Sequence, residues 1–377
     1  MAPGKHSRRH ERTGARLWLM VGAIAVAVAA VAVGVALIPH PPSAPAAATT
    51  AAPPAPLTVV STAPVGSNVD SGATISVEFS TDLATGSPMP TLSPAVAGRW
   101  AVLSPTLLQY QASAPLVPGS VETITVPGGN DGAAGARGQR MANPFTTSFT
   151  VAQGSTLRLQ QMLAELGYLP VNFTAAAPLT APTQEGTPQI GTFTWRWANQ
   201  PASLTSLWTP GSYNVITKGA VMNFESQHNL TVDGLAGPGV WSALLAALAN
   251  GQGNALPYGY VYVNKALPES VTVYQNGVQA YETVANTGVD AAPTADGTFP
   301  VYARYTVTTM SGTNPDGSKY VDPGIRWVSY FNGGDALHGF PRGSYGFPQS
   351  DGCVEMPISN AAVVFPLTPL GTLVTVS

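Results

Sequence analysis

The chain has 377 residues, enough for two or three domains of ordinary size. Only 9% of them are charged, while Gly (39) and Pro (35) are abundant, which points to loop-rich β structure with linkers and excludes a helical bundle or a highly charged disordered chain. The net charge of −3 is uneven: Lys5, Arg8, Arg9, Arg12 and Arg16 against Glu11 put +4 in the first 16 residues and leave −7 for the rest, so there is no basic stripe for a nucleic acid.

The basic tail (1–16) runs into LWLMVGAIAVAVAAVAVGVALI, Leu17 to Ile38, which carries no charge. As a helix this stretch spans roughly 30 Å of hydrocarbon. The arginines before it should stay cytoplasmic and send the bulk of the chain across the membrane. Two readings fit, an uncleaved signal anchor and a cleaved secretion signal. The apolar run exceeds the about 7–15 residues of a typical signal core, which favours the transmembrane anchor. Both put the working part in the extracytoplasmic cell envelope. Residues 39–56, PHPPSAPAAATTAAPPAP, form a semi-rigid Pro/Ala linker.

Residues 57–152 read as short alternating strands, TVVSTAP, ATISVEFS, RWAVLS, LLQYQAS, VETITVPGG and PFTTSFTV, separated by Gly, Pro, Ser and Asn. This spacing predicts a β-sandwich, and the segment resembles the immunoglobulin-like domains of bacterial surface proteins. It carries no catalytic constellation, so a spacer or scaffold is the expectation.

Helical periodicity begins in residues 153–252. Leu159, Met162, Leu163 and Leu166 fall at i, i+3, i+4 and i+7, with Gly167 placed to end the helix. A second helix from Thr217 carries Val221 and Phe224. A third carries Trp241, Leu244, Leu245 and Leu248, opening after Gly237-Pro238 and closing near Gly251. LQQMLAELGYLP and AVMNFESQHNLTVDGLAGPGVWSALL resemble peptidoglycan-binding three-helix domains. This chain departs from that pattern with Glu225 after Phe224 and a long insertion between the first two helices. Glycan-strand binding is implied by the resemblance alone, because the apolar stripes are core.

From residue 258 to 377 strands return. YVYVN and SVTVYQNGVQAYETVA contain Asn276-Gly277, a strong hairpin signal; TFPVYARYTV, RWVSYF, AVVFPL and TLVTV follow as further expected strands. An all-β C-terminal domain is expected, making the chain a mostly-β multidomain protein.

Cys353, in SDGCVEMP, is the sole cysteine, although exported proteins usually use cysteines in pairs. Its thiolate would be the nucleophile, and an imidazole within reach can take the thiol proton. His6 and His10 lie in the tail, His40 in the linker and His228 on a helix, which leaves His338, 15 residues before Cys353. Glycines 339, 343, 346 and 352 and prolines 341 and 348 lie between them. The bland alternative is a small buried thiol and a satisfied loop histidine.

The motifs His338-Gly339 and Ser350-Asp351-Gly352-Cys353 resemble the L,D-transpeptidase catalytic domain, whose pattern is HG followed by S-H-G-C. TGVDAAPTADGTFPV is similar to that family's G…PTP.G.F segment, with Ala295 in place of the second proline. The resemblance implies Cys353 as nucleophile, His338 as base and an oxyanion hole from the backbone around Asp351 and Gly352. It implies peptidoglycan stem peptides as substrate and 3→3 cross-links as product, without cofactor or metal. Asp351 departs from the pattern, standing where the family carries a second histidine. An anion beside a thiol raises its pKa, so the Asp351 side chain is expected to turn away. Gly339, Ser350, Tyr320, Trp327 and Arg342 are candidate substrate contacts, with the Gly/Asp/Pro-rich stretch around Tyr320 as a lid and Arg342 facing a substrate carboxylate. Two rivals are an L,D-carboxypeptidase or endopeptidase using the same thioester, and a non-catalytic wall-binding protein. The sequence does not speak to oligomeric state.

Overall fold

A computed structural model describes residues 54–377; the expected basic tail, the membrane anchor and nearly all of the linker lie outside the described residues. No described helix is long and apolar enough to cross a membrane.

Two four-stranded sheets form the first module. Val59–Ala63, Ile75–Phe79, Leu107–Ala112 and Gly98–Ser104 lie in that order in one sheet, and Gly66–Val69, Phe145–Val151, Val121–Val126 and Thr91–Ser93 in the other. Alternate residues of each face the other sheet: Ile75, Val77 and Phe79 from one and Ile124, Val126, Phe149 and Val151 from the other share one core. That is the period of two expected where a sheet has one dry face.

The helices follow the periodicity closely. Thr156–Glu165 is capped by the Ser155 hydroxyl, which accepts from the Arg158 N–H, and Gly167 beyond its end has φ +79°. Val215–Gln227 is capped by the Asn214 side chain, and Pro238–Asn250 begins on proline and stops at Gly251 in the left-handed region. The insertion between the first two helices is not a loop. It folds as an antiparallel pair, Val171–Ala175 with Gly191–Trp195, and Phe173, Phe193 and Trp195 pack onto the helical core. That core also takes in Tyr260 and Leu373 from the C-terminal domain. Gly219 of the second long helix meets Gly371 so closely that a Cβ there would sit 2.5 Å from the Gly371 carbonyl oxygen. Helices and C-terminal sheet therefore share one packed interface.

In the C-terminal domain the strands are β1 (Gly259–Asn264), β2 (Ser270–Gln275), β3 (Val278–Val284), β4 (Gly297–Pro300), β5 (Ala303–Thr313), β6 (Lys319–Asn332), β7 (Asp335–Gly339), β8 (Val354–Met356) and β9 (Leu373–Val376). One sheet has the order β3-β2-β1-β9-β4, the other β5-β6-β7-β8. The β2–β3 turn is Asn276-Gly277 with both φ positive, as a tight hairpin requires. Val261, Val263, Val271, Val273, Val374 and Val376 of the first sheet pack on Phe331, Leu337, Val354 and Met356 of the second.

The AVVFPL segment corrects the expectation of a strand and of an all-β domain: Ile358–Val364 is a helix that continues into a 3-10 turn at Phe365–Leu367. Ala361 and Val364, three apart, are its buried positions, and the tertiary contact overrides the β preference of its valines. The helix lies directly on β7, where a Cβ at Gly339 would come 3.0 Å from the Ile358 Cα. The stretch around Tyr320 expected as a lid folds into the long β5–β6 hairpin, closed by the turn Asn314–Ser318.

Candidate active site

Pairing between β7 and β8 brings the two motifs together. The strands run parallel, with Leu337 opposite Val354, His338 opposite Glu355 and Gly339 opposite Met356. Successive side chains point to opposite faces. Leu337, Val354 and Met356 therefore enter the core between the sheets, while His338, Glu355 and Cys353, two residues before Glu355, share the other face. That face carries Ile325, Val328 and Ala336, with Met310, Tyr330, Phe340 and Cys353 packed around them.

A cavity of about 390 Å³ opens on this face, lined by His338, Cys353, Glu355, Asp351, Ser350, Arg342, Tyr320 and Asp322 among others. A larger one, about 640 Å³, lies between the sandwich and the Pro238–Asn250 helix, with neither cysteine nor histidine in its lining. We take the smaller cavity as the site because it holds the reactive groups. Among the described residues, no group of three or more His, Cys, Asp or Glu side chains is arranged to hold a metal.

His338 is 2% exposed. Its Nδ1 lies 3.2 Å from the Gly339 carbonyl oxygen, so Nδ1 carries the proton and Nε2 keeps its lone pair. Burial pulls the imidazole below its ordinary pKa; the Gly339 carbonyl and the Glu355 carboxylate oppose that, Arg342 adds to it and Asp322 opposes it. Burial pushes the Cys353 thiol up to about 12, against the Ala336 N–H, with the Asp335, Glu355 and Asp351 carboxylates pushing the same way as burial. At rest the thiol donates to the Gly334 carbonyl at 3.6 Å. A neutral thiol beside a neutral imidazole is the resting pair.

The cysteine turn is built from backbone. Gly352 has φ +109°, and a Cβ there would lie 2.7 Å from Asp335 Oδ1, so only glycine fits. The buried Ser350 hydroxyl donates to the Cys353 carbonyl. Gln349 and Ser350 both donate backbone N–H groups to Thr287 O, and Val289 N–H donates to Ser350 O. TGVDAAPTADGTFPV thus anchors the turn, and Thr287 is itself held by the buried Glu269 carboxylate at 2.6 Å through N–H and hydroxyl. The N–H groups of Gly352 and Cys353 donate to no described acceptor.

The remaining candidates divide. Asp351 is exposed and lines the cavity, and it is the last of the three carboxylates acting on the thiol. Tyr320 lines the cavity with its ring on Gly312. Trp327 does not join them: φ +60° and the adjoining β-bulge turn its ring into the core, 5.6 Å from Phe365. Arg342 is engaged before any substrate arrives, with Nε and Nη2 on the two Glu355 oxygens at 2.7 and 2.8 Å. Glu355, Asp322, Asp335 and Ala336 were missed. For Glu355 a signal existed, since period two places the residue after next from Cys353 on its face.

Residues 258–376 match the model of the YkuD family, the L,D-transpeptidase catalytic domain. The C-terminal part of this chain is an L,D-transpeptidase catalytic domain, and the chain is an enzyme of the acyltransferase class. No protein of curated function matches it in sequence. Among solved structures it is similar to an L,D-transpeptidase from Mycobacterium smegmatis, at 13% identity over 86% of this chain and 100% of that one, TM-score 0.29. It is also similar to the catalytic domain of the E. faecium L,D-transpeptidase, at 27% identity over 33% of this chain and 100% of that one, TM-score 0.30. A third is L,D-transpeptidase 3 from Mycobacterium tuberculosis with a faropenem-derived adduct, at 12% identity over 85% and 97%, TM-score 0.30.

Proposed function

We propose that this enzyme forms 3→3 cross-links in peptidoglycan through an acyl-enzyme on Cys353. Sγ attacks the carbonyl of the third residue of a tetrapeptide stem as its proton passes to His338 Nε2. The tetrahedral intermediate collapses, the C–N bond to the terminal D-alanine breaks, and His338 returns the proton to the leaving amine. The amine of a neighbouring stem then attacks the thioester, restoring the thiol. The Gly352 and Cys353 N–H groups, next to Asp351, stabilise the oxyanion, where one such donor is worth roughly 10²–10³ in rate. The anchor at Leu17–Ile38 would hold the enzyme on the outer side of the membrane, and the helical module would rest on glycan strands.

The observation that supports this reading is the common face of β7 and β8, which gives one cavity both the only cysteine and an imidazole whose Nε2 is free to accept. A thiol titrating near 12 is a poor nucleophile unless a base removes its proton during attack. Intact mass after exposure to a carbapenem tests it: an adduct is expected on the wild type, none on Cys353→Ala, and strongly slowed labelling on His338→Ala. An unlabelled wild type refutes the acyl-enzyme. Incubation with a tetrapeptide stem should yield cross-linked dimer; tripeptide without dimer would make the enzyme an L,D-carboxypeptidase.

A further inference from the structure

We propose that Glu355, clamped by Arg342, is a positioning residue that supplies the countercharge for the imidazolium formed on His338 when it takes the thiol proton. The inference rests on the Cys353/His338 reading above. Glu355 is 4% exposed, and its backbone exchanges two hydrogen bonds of 2.9 Å with Asn286. Its carboxylate is held in the Arg342 fork, the geometry that fixes a carboxylate most firmly. Arg342 Nη2 also donates to Gln349 O at 3.2 Å, and its guanidinium lies 4.7 Å over the Phe340 ring. Phe340 in turn sets its edge against the His338 ring, centroids 6.0 Å apart. One ion pair thus ties the strand after the cysteine to the loop after the histidine.

An anion here acts on both partners of the proton transfer with opposite sign. It favours the imidazolium and disfavours the thiolate. Register decides which effect is larger. Glu355 stands directly across from His338, at the roughly 4.8 Å spacing of adjacent strands, but two residues along its own strand from Cys353, about 6.6 Å away. By backbone spacing His338 is the nearer of the two partners. Burial disfavours a charged His338, and the carboxylate offsets that cost at the moment the proton arrives.

The other groups around His338 do less. Asp322 on β6 acts in the same direction but stands last among the influences on the imidazole, behind Glu355 and Arg342. Arg326, opposite Gly339 on β6, is exposed, as is Asp351 on the cysteine turn. Tyr320 and Cys353 are uncharged at neutral pH, each raised by burial first. Tyr345 donates its hydroxyl to Phe340 O. The Ile358–Val364 helix behind β7 has no titratable side chain.

The test is a charge cycle on the full chain, with Glu355→Gln, Arg342→Gln and the double variant. The His338 midpoint is followed by NMR on ¹³C-histidine-labelled protein and assigned with His338→Gln; the pH profile of carbapenem acylation is recorded beside it. Glu355→Gln should move the midpoint and the acid limb of acylation down by about one pH unit or more, the scale for a charge at this range. Arg342→Gln should move both up, and the double variant should return toward wild type. Midpoints that stay put, or that move the same way in both single variants, overturn the proposal. A merely structural role would lower the acylation plateau without opposite shifts. If Glu355→Gln fails to fold, the double variant read against Arg342→Gln decides: its midpoint should lie about one pH unit or more lower, and equal midpoints overturn the proposal. If no carbapenem labels Cys353, the functional reading falls while the NMR titration still decides the electrostatics.

Discussion

Alkylation of Cys353 distinguishes a thiolate made on demand from one held ready. With the thiol moved from 9.0 to about 12, its ionised fraction at any pH well below both values is about a thousandfold smaller than that of an ordinary cysteine. A more basic thiolate is also more nucleophilic. With a Brønsted slope of about 0.4–0.5, the same change returns a factor of roughly 16 to 32. Iodoacetamide should therefore label Cys353 about 30- to 60-fold more slowly than a free model thiol at pH 7.5, before any loss from half-burial. The assay is intact mass against time from pH 6 to 11, with Cys353→Ala as blank. The rate should climb tenfold per pH unit across that range with no plateau. A plateau below pH 9, or a rate equal to the model thiol at neutral pH, would mean a preformed thiolate–imidazolium pair and refute the general-base account. Carbapenem acylation should remain efficient where iodoacetamide is slow, since only the former reaction positions an acyl group for proton transfer to His338.

Other outcomes follow from single contacts. Gly352→Ala combines a positive φ with a Cβ 2.7 Å from Asp335 Oδ1, so carbapenem labelling should fall at least a hundredfold with far-UV CD unchanged; near-normal labelling would show that the turn is not required. Asp351→Asn should change the iodoacetamide rate less than Asp335→Asn does, because Asp335 is the stronger of the two influences on the thiol; the reverse order would give Asp351 a direct role. Glu225, fully buried, has its carboxyl pushed up to about 7 by burial, against the Gly234 N–H and aided by Asp233. Its folded-state pKa lies above the unfolded value of 4.5, so the native state loses stability as pH rises from about 4.5 through 7, by up to roughly 3 kcal/mol. Glu225→Gln should flatten that loss, and its Tm advantage should grow between pH 5 and 8; a constant difference would show that the carboxyl titrates normally.

Much of the fold is legible because it rests on local rules. Apolar residues at i, i+3, i+4 and i+7 define the helices, the Gly167, Gly237-Pro238 and Gly251 positions bound them, and Asn276-Gly277 makes its hairpin. AVVFPL misleads for the opposite reason. Its valines favour a strand, but Ile358–Val364 coils to cover Gly339, a contact nothing in the segment announces. The insertion in the helical module likewise hides a strand pair whose aromatic residues have meaning only against a distant core.

By itself the sequence singled out Cys353 and His338 as the candidate pair, set glycines around them and pointed to the class of catalytic domain, since each rests on residue type and short spacing. Strand pairing is different, because it joins segments that no local preference connects. Only the parallel register of β7 and β8 decided that Glu355 faces His338 and that Arg342 is already occupied. Only the bulge in β6 decided that Trp327 belongs to the core. Burial too is a tertiary property, and it is burial that raises the thiol, lowers the imidazole and so leaves both neutral at neutral pH.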